Sequence, residues 1–118
     1  MKRIILLSVV AVIAMSFKSE TKILQTQLIV TVLDDLGTIQ EGASVKLFKT
    51  VDDYNSGENQ VLETHFTSKR GKTRFVGLEP IAYFVEVKNG KKDNALGGEK
   101  TEALDEGKIN KINVIISE

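Results

Sequence analysis

From Gln27 onward, apolar and polar residues alternate with a period of two, and Gly, Asn or Asp interrupts the alternation at short intervals. A period of two matches a β-strand, because successive side chains of a strand point to opposite faces of the sheet. Short strands separated by regular turn signals are typical of a β-sandwich. We therefore expect an all-β domain over residues 27–118, without a helix of useful length.

The alternation predicts seven strands, at residues 28–33, 43–48, 61–67, 73–76, 82–88, 100–104 and 111–116. In the third strand, Leu62 and Phe66 are expected to face the core, and His65 to face solvent as a plain surface residue. The fifth strand alternates most regularly and is expected to bury Tyr83, Val85 and Val87. The final strand is expected to bury Ile112, Val114 and Ile116.

Two connections carry clear turn signals. Residues 49–60 are rich in Asp, Asn, Ser and Gly and are predicted to form a loop. Asn89 and Gly90 form a hairpin signal, because both residue types tolerate a positive φ.

The first 16 residues read as an export signal. Lys2 and Arg3 precede an apolar run over residues 4–15 that only Ser8 interrupts, and small residues favour cleavage after Ser16. A membrane anchor or a buried helix is the alternative, but this run falls short of the roughly 20 residues that span a bilayer. Because the chain has no Cys, it is not expected to be a lipoprotein. We expect a secreted or periplasmic product that does not span the membrane, with residues 17–26 as a flexible tether.

Composition excludes several classes of function. The chain has 16 basic and 16 acidic residues, which argues against nucleic-acid binding by bulk charge. Removal of Lys2 and Arg3 with the signal leaves 14 basic and 16 acidic residues, a formal charge of −2. The absence of Cys excludes disulfides, thiol catalysis and Cys-ligated metals.

The order of apolar, glycine and aromatic positions resembles that of the carboxypeptidase regulatory-like domains, within a wider group of transthyretin-like and pilin B-type β-sandwiches. The residues that carry the resemblance are Val30, Val32, Asp34, Gly37, Gly42, Ala43, Val45, Leu47, Thr67, Gly71, Phe75, Leu78, Tyr83, Val85 and Val87. It spans about residues 27–117, and residues 107–116 resemble the end of small secreted members of this group from Bacteroidota. The resemblance implies a seven-stranded antiparallel Greek-key sandwich, also called prealbumin-like, that acts as an accessory module.

The chain departs from the family pattern at two turns. Ser68 occupies the position of a usual Asp, and Ile81 that of a usual Gly. Pilin B-type relatives often carry a Lys-to-Asn isopeptide bond. Here Asp34 occupies the position of the reacting Lys, so that Asn113 on the last strand has no evident partner. The resemblance therefore implies no cross-link.

Few residues are candidates for catalysis. A purine-pathway hydrolase of the transthyretin-like group uses several His residues, whereas His65 is the single His here. The acidic pairs at residues 34–35 and 52–53 lie in turn contexts, where Asp is favoured by its hydrogen bonds to nearby backbone N–H groups. No Gly-x-Ser-x-Gly nucleophile motif is present. We expect no enzyme and no catalytic residue.

Three surface features remain open to two interpretations each. Residues 52–59 offer oxygen ligands for calcium, although a solvated loop is favoured. A basic cluster at one turn could dock an anionic partner or could protect sheet edges from pairing, and it comprises Lys69, Arg70, Lys72 and Arg74, with Lys91 and Lys92 in another loop that could lie nearby. Three aromatic residues could form a binding patch or could be scattered on the surface, namely Phe48, Tyr54 and Phe84.

Together these observations predict a non-catalytic secreted β-sandwich module that binds a protein or a cell surface. The alternative is a carbohydrate-binding accessory module, against which the absence of Trp counts. No metal or cofactor is predicted, and the sequence does not identify ligand-binding residues.

Overall fold

A computed structural model describes residues 24–95 and 99–118 as two β-sheets packed face to face, which confirms the predicted all-β sandwich. These residues form eight strands and one short helix. In chain order they are β1 (Gln27–Asp34), β2 (Ser44–Phe48), α1 (Val51–Ser56), β3 (Val61–Phe66), β4 (Lys72–Val76), β5 (Phe84–Asn89), β6 (Lys92–Asp93), β7 (Glu99–Lys100) and β8 (Ile109–Ile116). The predicted signal at residues 1–16 and most of the predicted tether lie outside the described residues.

The first sheet has three strands in the order β4-β1-β8. Strand β1 pairs antiparallel with β4, and it pairs parallel with β8 from Gln27 opposite Ile109 to Asp34 opposite Ile116. The prediction of a purely antiparallel sandwich is therefore wrong for β8. The reason is that residues 101–108 carry the chain across the sandwich, so that Lys108 enters beside Gln27 and its carbonyl accepts the Gln27 N–H at 3.0 Å.

The second sheet has the order β3-β2-β5, and the two short strands β6 and β7 both pair with β5. The strand predicted at 100–104 is regular only at Glu99–Lys100, and beyond Lys100 its pairing becomes irregular. The N–H of Thr101 donates to the Tyr83 carbonyl, and that of Leu104 donates to the Ile81 carbonyl. These bonds keep residues 101–104 beside the segment that leads into β5, before the chain enters β8 of the first sheet.

Side chains complete the edge of β5 where β6 and β7 leave gaps. The amide of Asn94 is buried, accepts from the Val87 N–H at 3.0 Å and donates to the Val85 carbonyl at 2.7 Å. The hydroxyl of Thr101 accepts from the Tyr83 N–H at 2.9 Å. These bonds satisfy buried backbone groups that a continuous neighbouring strand would otherwise bind.

The core lies between the two sheets and follows the alternation of the sequence. Tyr83 is fully buried, and its hydroxyl donates to the Glu79 carbonyl at 3.0 Å, so its polar end is satisfied. The predicted inward positions of β5 and β8 are confirmed, with Ile112 partly buried against the core. The other buried apolar side chains come from both sheets and include Leu28, Val30, Val32, Val45, Leu47, Phe75, Val85, Val87, Val114 and Ile116.

A short helix occupies part of the predicted loop at 49–60, which is a correction to the sequence interpretation. The Thr50 side chain caps α1 by accepting from the Asp53 N–H at 3.1 Å, and Asp52 and Asp53 occupy the first turn. Acidic residues are favourable there, because they oppose the positive end of the helix dipole. Gly57 ends the helix in the left-handed conformation with φ +72°.

The predicted faces of β3 are reversed. Leu62 and Phe66 are 47% and 65% exposed, whereas His65 is half-buried and lies opposite the core residue Val45. The physical reason is the pairing with β2, which places His65 opposite Val45 and Val61 opposite Leu47, both of them core residues. Because side chains alternate along a strand, Leu62 and Phe66 then lie on the outward face.

Both departures from the family pattern are accommodated locally. The Ser68 hydroxyl accepts from the Arg70 N–H at 3.2 Å, which is the turn-forming role that an Asp side chain plays in other turns. Ile81 is partly buried and packs against the core. The predicted hairpin is present, but Asn89 pairs with Lys92, so Gly90 and Lys91 form its turn.

Candidate interaction surfaces

His65 lies at the open side of the sandwich, where edge strand β3 of one sheet faces edge strand β4 of the other. Its ring stacks on Phe75 with centroids 3.9 Å apart and planes 12° apart. Its Nδ1 atom shares a hydrogen bond with the Thr73 hydroxyl at 3.1 Å. The expectation of a plain surface residue is therefore wrong, because the side chain closes the gap between the two sheets.

A shallow groove runs beside this ring and is lined by Leu62, Glu63, His65, Arg74 and Val76. A His next to a hydroxyl is the starting geometry for nucleophilic catalysis, which also requires a third group that orients the His. Among the hydrogen bonds of the described residues, the one to Thr73 is the only side-chain bond that His65 makes. The Arg74 guanidinium is engaged elsewhere, because it donates to the Gln27 side chain at 3.0 Å.

The basic residues predicted at one turn and in a second loop occupy different parts of the structure, with Lys91 in the hairpin turn after β5. Lys69 and Arg70 lie in the turn before β4, whereas Lys72 and Arg74 project from the outer face of that strand. Lys92 forms an ion pair with Asp34, with Nζ 3.4 Å from Oδ2. The structure thus separates this set into a turn, a sheet face and an ion pair.

The Asp34 carboxylate, at the end of β1, binds backbone N–H groups of the turn that follows. Its Oδ1 atom accepts the backbone N–H of Thr38 at 2.8 Å and that of Leu36 at 3.0 Å. The hydrogen bond from Thr38 is the main cause that lowers the pKa of Asp34, and the Leu36 N–H and Lys92 act in the same direction against the effect of burial. Asp34 holds the following turn, as the turn context of the acidic pair predicts.

The oxygen-rich segment at 52–59 is folded on itself. The Asp53 carboxylate accepts from the Asn59 side chain at 3.1 Å. Within residues 24–95 and 99–118, no three His, Asp or Glu side chains come together as a metal site. In the same part of the chain, no helix is both long and apolar enough to cross a membrane.

The three predicted aromatic residues do come together, but not as an open patch. Phe48 is fully buried beneath α1, with the Tyr54 ring edge-on at a centroid distance of 5.9 Å. Phe84 lies 6.1 Å from Tyr54, and the Lys100 ammonium lies 5.4 Å from its ring centroid. These contacts fasten the helix to the outer face of the second sheet. They cover Phe48, which was predicted as a candidate exposed aromatic.

The outer face of the three-stranded sheet was missed in the sequence and is the most distinctive surface of the described chain. Val76, Ile109 and Ile115 on this face are 42% to 45% exposed. The register places them with further residues of the same face, namely Gln27, Ile29, Thr31, Leu33, Lys72, Arg74, Lys111 and Asn113. All the charged residues in this set are basic, so this outer face combines exposed apolar side chains with positive charge.

A signal for this face was present in the sequence. Residues 28–33 have apolar side chains on both faces of the predicted strand, which indicates a strand covered on both sides or placed at an edge. The structure shows β1 at the centre of its sheet, with its inner face in the core and its outer face half-exposed. Strands β4 and β8 supply the rest of the outer face. The positions of the β8 residues on it depend on the parallel register with β1.

Comparison with solved structures identifies similar folds in pilins. A streptococcal ancillary pilin matches with a TM-score of 0.61 and 17% identity over 81% of this chain and 33% of the pilin. The pilus 2b backbone protein of group B streptococcus matches with a TM-score of 0.55 and 15% identity, over 77% of this chain and 40% of that protein. The major pilin subunit of Bacillus cereus matches with a TM-score of 0.51 and 14% identity, over 79% and 30%.

The similarity to pilins extends to the fold alone, because the sequence identities are low. The chain spans 30% to 40% of the length of these three proteins. No protein-family model matches the sequence, and no curated protein is significantly similar to it. The chain therefore shares a small β-sandwich fold with pilin domains, in agreement with the pilin-like part of the expected resemblance.

Proposed function

We propose that this chain is a non-catalytic, exported β-sandwich module that binds another protein through the outer face of its three-stranded sheet. The proposal is carried by the exposed apolar residues that share this outer face, since exposed apolar surface rimmed by polar residues is a feature of interaction sites. Val76, Ile109 and Ile115 supply that surface. The pilin-like fold of the structural neighbours supports a role in protein assembly, and the predicted signal at residues 1–16 supports export.

The charges of the outer face indicate the chemistry of the partner. Lys72 and Arg74 on β4 and Lys111 on β8 supply three positive charges without an acidic residue among them. Complementary potentials steer association and suppress wrong partners. The partner is therefore expected to present acidic residues around an apolar patch.

Site-specific photocrosslinking in the producing cells tests this proposal. A photoreactive residue at Ile115 should capture a defined protein, whereas the same residue at Lys88, exposed on the other sheet, should capture little. The double variant Lys72→Glu/Arg74→Glu should abolish capture, and Lys91→Glu at the hairpin tip should leave it intact. Equal capture at both positions, or none at Ile115, would contradict the proposal.

Export has its own test. Mass spectrometry of the N-terminus of chain isolated from the cell envelope or medium should show that it begins at Phe17, after removal of residues 1–16. Accumulation of the intact chain in the cytosol would show that the export part of the proposal is wrong, without bearing on the binding surface.

A further inference from the structure

The strand edges of this sandwich differ in how well they are protected against pairing with another chain. An open edge presents unpaired N–H and C=O groups and is a template for an additional strand. Among the described strands of five residues or more, three lie at an edge, namely β3, β4 and β8. The edge of β5 is covered by the two-residue strands β6 and β7 and by the side chains of Asn94 and Thr101.

Two of these edges are poor templates. On β3, the positive φ at Leu62 distorts the strand, and the Gln60 side chain donates to the Leu62 carbonyl at 3.2 Å. On β4, the Lys72 carbonyl accepts from the Ser68 N–H at 2.9 Å, and the five-residue strand carries the charges of Lys72 and Arg74. Irregularity, short length and positive charge are common protections of an edge.

Strand β8 has none of these protections over most of its length. It has eight residues, a regular register with β1, and Lys111 as its single charged residue. The bond from the Gln27 N–H to the Lys108 carbonyl shows that the backbone N–H and C=O groups of even-numbered residues in this segment point towards β1. The backbone groups of odd-numbered residues therefore point to the other edge.

Within the described chain, the backbone groups of this edge are paired only just beyond the C-terminal end of β8. Ser117 exchanges two backbone hydrogen bonds with Asp93, both 3.0 Å long, which confirms that odd-numbered residues face this side. No strand among residues 24–95 and 99–118 pairs with this edge between Ile109 and Ile115. A groove runs along the first half of this edge, lined by residues 101–105 and 109–112.

We propose that a second copy of this chain pairs with this edge, with the two β8 strands antiparallel about a twofold axis. Such a contact is isologous and would join two three-stranded sheets into one of six strands. The inference goes beyond the proposed binding function and is independent of it: self-association uses the edge, while the outer face remains available to a different protein.

The unpaired backbone groups of β8 favour one register for the proposed dimer. Pairing Ile112 with itself places Ile109 opposite Ile115 and Lys111 opposite Asn113, and it uses odd-numbered residues from 109 to 115 in both copies. A shift that pairs Asn113 with itself would require Ser117, which already binds Asp93. A shift that pairs Lys111 with itself would oppose two like charges, which is unfavourable in a cross-strand pair.

Single-cysteine variants read this register directly, because the chain has no Cys of its own. In the proposed register, the α-carbons of the two Ile112 residues are about 4.5 Å apart, a separation that a disulfide can span. Ile112→Cys should therefore give an interchain disulfide under mild oxidation at least tenfold faster than Lys111→Cys or Asn113→Cys. Faster cross-linking at position 111 or 113 would overturn this register.

A proline substitution tests the edge itself. Asn113→Pro removes an N–H that faces the open edge and leaves the ladder with β1 intact, since edge positions tolerate proline in this orientation. It should weaken self-association of the purified chain by about tenfold or more, while Asn113→Ala should change it little. Circular dichroism of both variants verifies that they fold.

Sedimentation velocity over a range of concentrations completes the test. A chain that stays monomeric throughout, or a dimer that Asn113→Pro does not weaken, would overturn edge pairing. If the chain is monomeric but Ile115 still captures a partner in cells, only this inference fails and the proposed function stands. If Ile115 captures no protein other than a second copy of this chain while Ile112→Cys still forms the disulfide, the proposed function fails and the dimer stands.

Discussion

The ring of His65 stacks on the ring of Phe75 at a centroid distance of 3.9 Å and thereby joins the edge strands of the two sheets. His65 comes from β3 and Phe75 from β4, which belong to different sheets and are not hydrogen-bonded to each other as strands. The contact therefore closes one side of the sandwich by side-chain packing alone.

Truncation of this contact should cost stability. His65→Ala is expected to lower the free energy of unfolding by about 1 to 2 kcal/mol, because it removes a stacked pair and a hydrogen bond to Thr73. Phe66→Ala should change it by less than about 0.5 kcal/mol, because Phe66 is 65% exposed. Urea denaturation of both variants provides the measurement. A larger loss for Phe66→Ala would restore the strand faces predicted from the sequence.

The Asn94 side chain should be among the most sensitive polar groups in the chain. Asn94→Ala leaves the Val85 carbonyl and the Val87 N–H without their partner in a buried position, which should cost about 2 to 4 kcal/mol. Asn55→Ala on the exposed surface of α1 serves as a control that should stay within about 0.5 kcal/mol of the wild type. A loss below about 1 kcal/mol for Asn94→Ala would show that water replaces the side chain.

Gly71 combines a backbone requirement with a close contact. Its φ is +72°, and an added Cβ would lie 2.5 Å from Ile39 Cγ2 and 3.0 Å from the Val32 carbonyl oxygen. Gly71→Ala should therefore cost more than the roughly 1 to 2 kcal/mol expected from a left-handed conformation alone. Gly42→Ala isolates that backbone cost, since Gly42 has φ +75° with no atom within 4 Å of an added Cβ. Similar melting temperatures for the two variants would show that the contact relaxes without cost.

Asp34 should make stability depend on acidic pH. Its folded-state pKa is lowered below the ordinary value of 3.8, so its contribution is present above that value and is lost as pH falls through the lower folded pKa. In Asp34→Asn, the amide oxygen can still accept from Leu36 and Thr38, but the charge and its pairing with Lys92 are lost. The stability difference between wild type and variant should be constant above about pH 5 and should shrink below it. A difference that does not change between pH 6 and pH 2 would contradict this role of the ionised carboxylate.

Local patterns in the amino-acid sequence were enough to predict the fold class and most of the core. Its period of two requires one buried and one exposed face for each strand, which is why the inward positions of β5 and β8 could be predicted. Turn-forming residues such as Gly90 could be found because their conformational needs are local. The predicted export signal also rests on a local pattern of charge and hydrophobicity, at residues 1–16.

The choice of neighbouring strands and the groups exposed at the sheet edges could not be predicted in this way. The parallel pairing of β1 with β8 joins residues about 80 positions apart, and no local pattern specifies it. The inward placement of His65 depends on its pairing opposite Val45 of β2, and the outer face depends on which strands flank β1. Local preferences act over a few residues, whereas register and edge exposure arise from long-range packing, which is why the proposed binding surfaces appeared only in the folded chain.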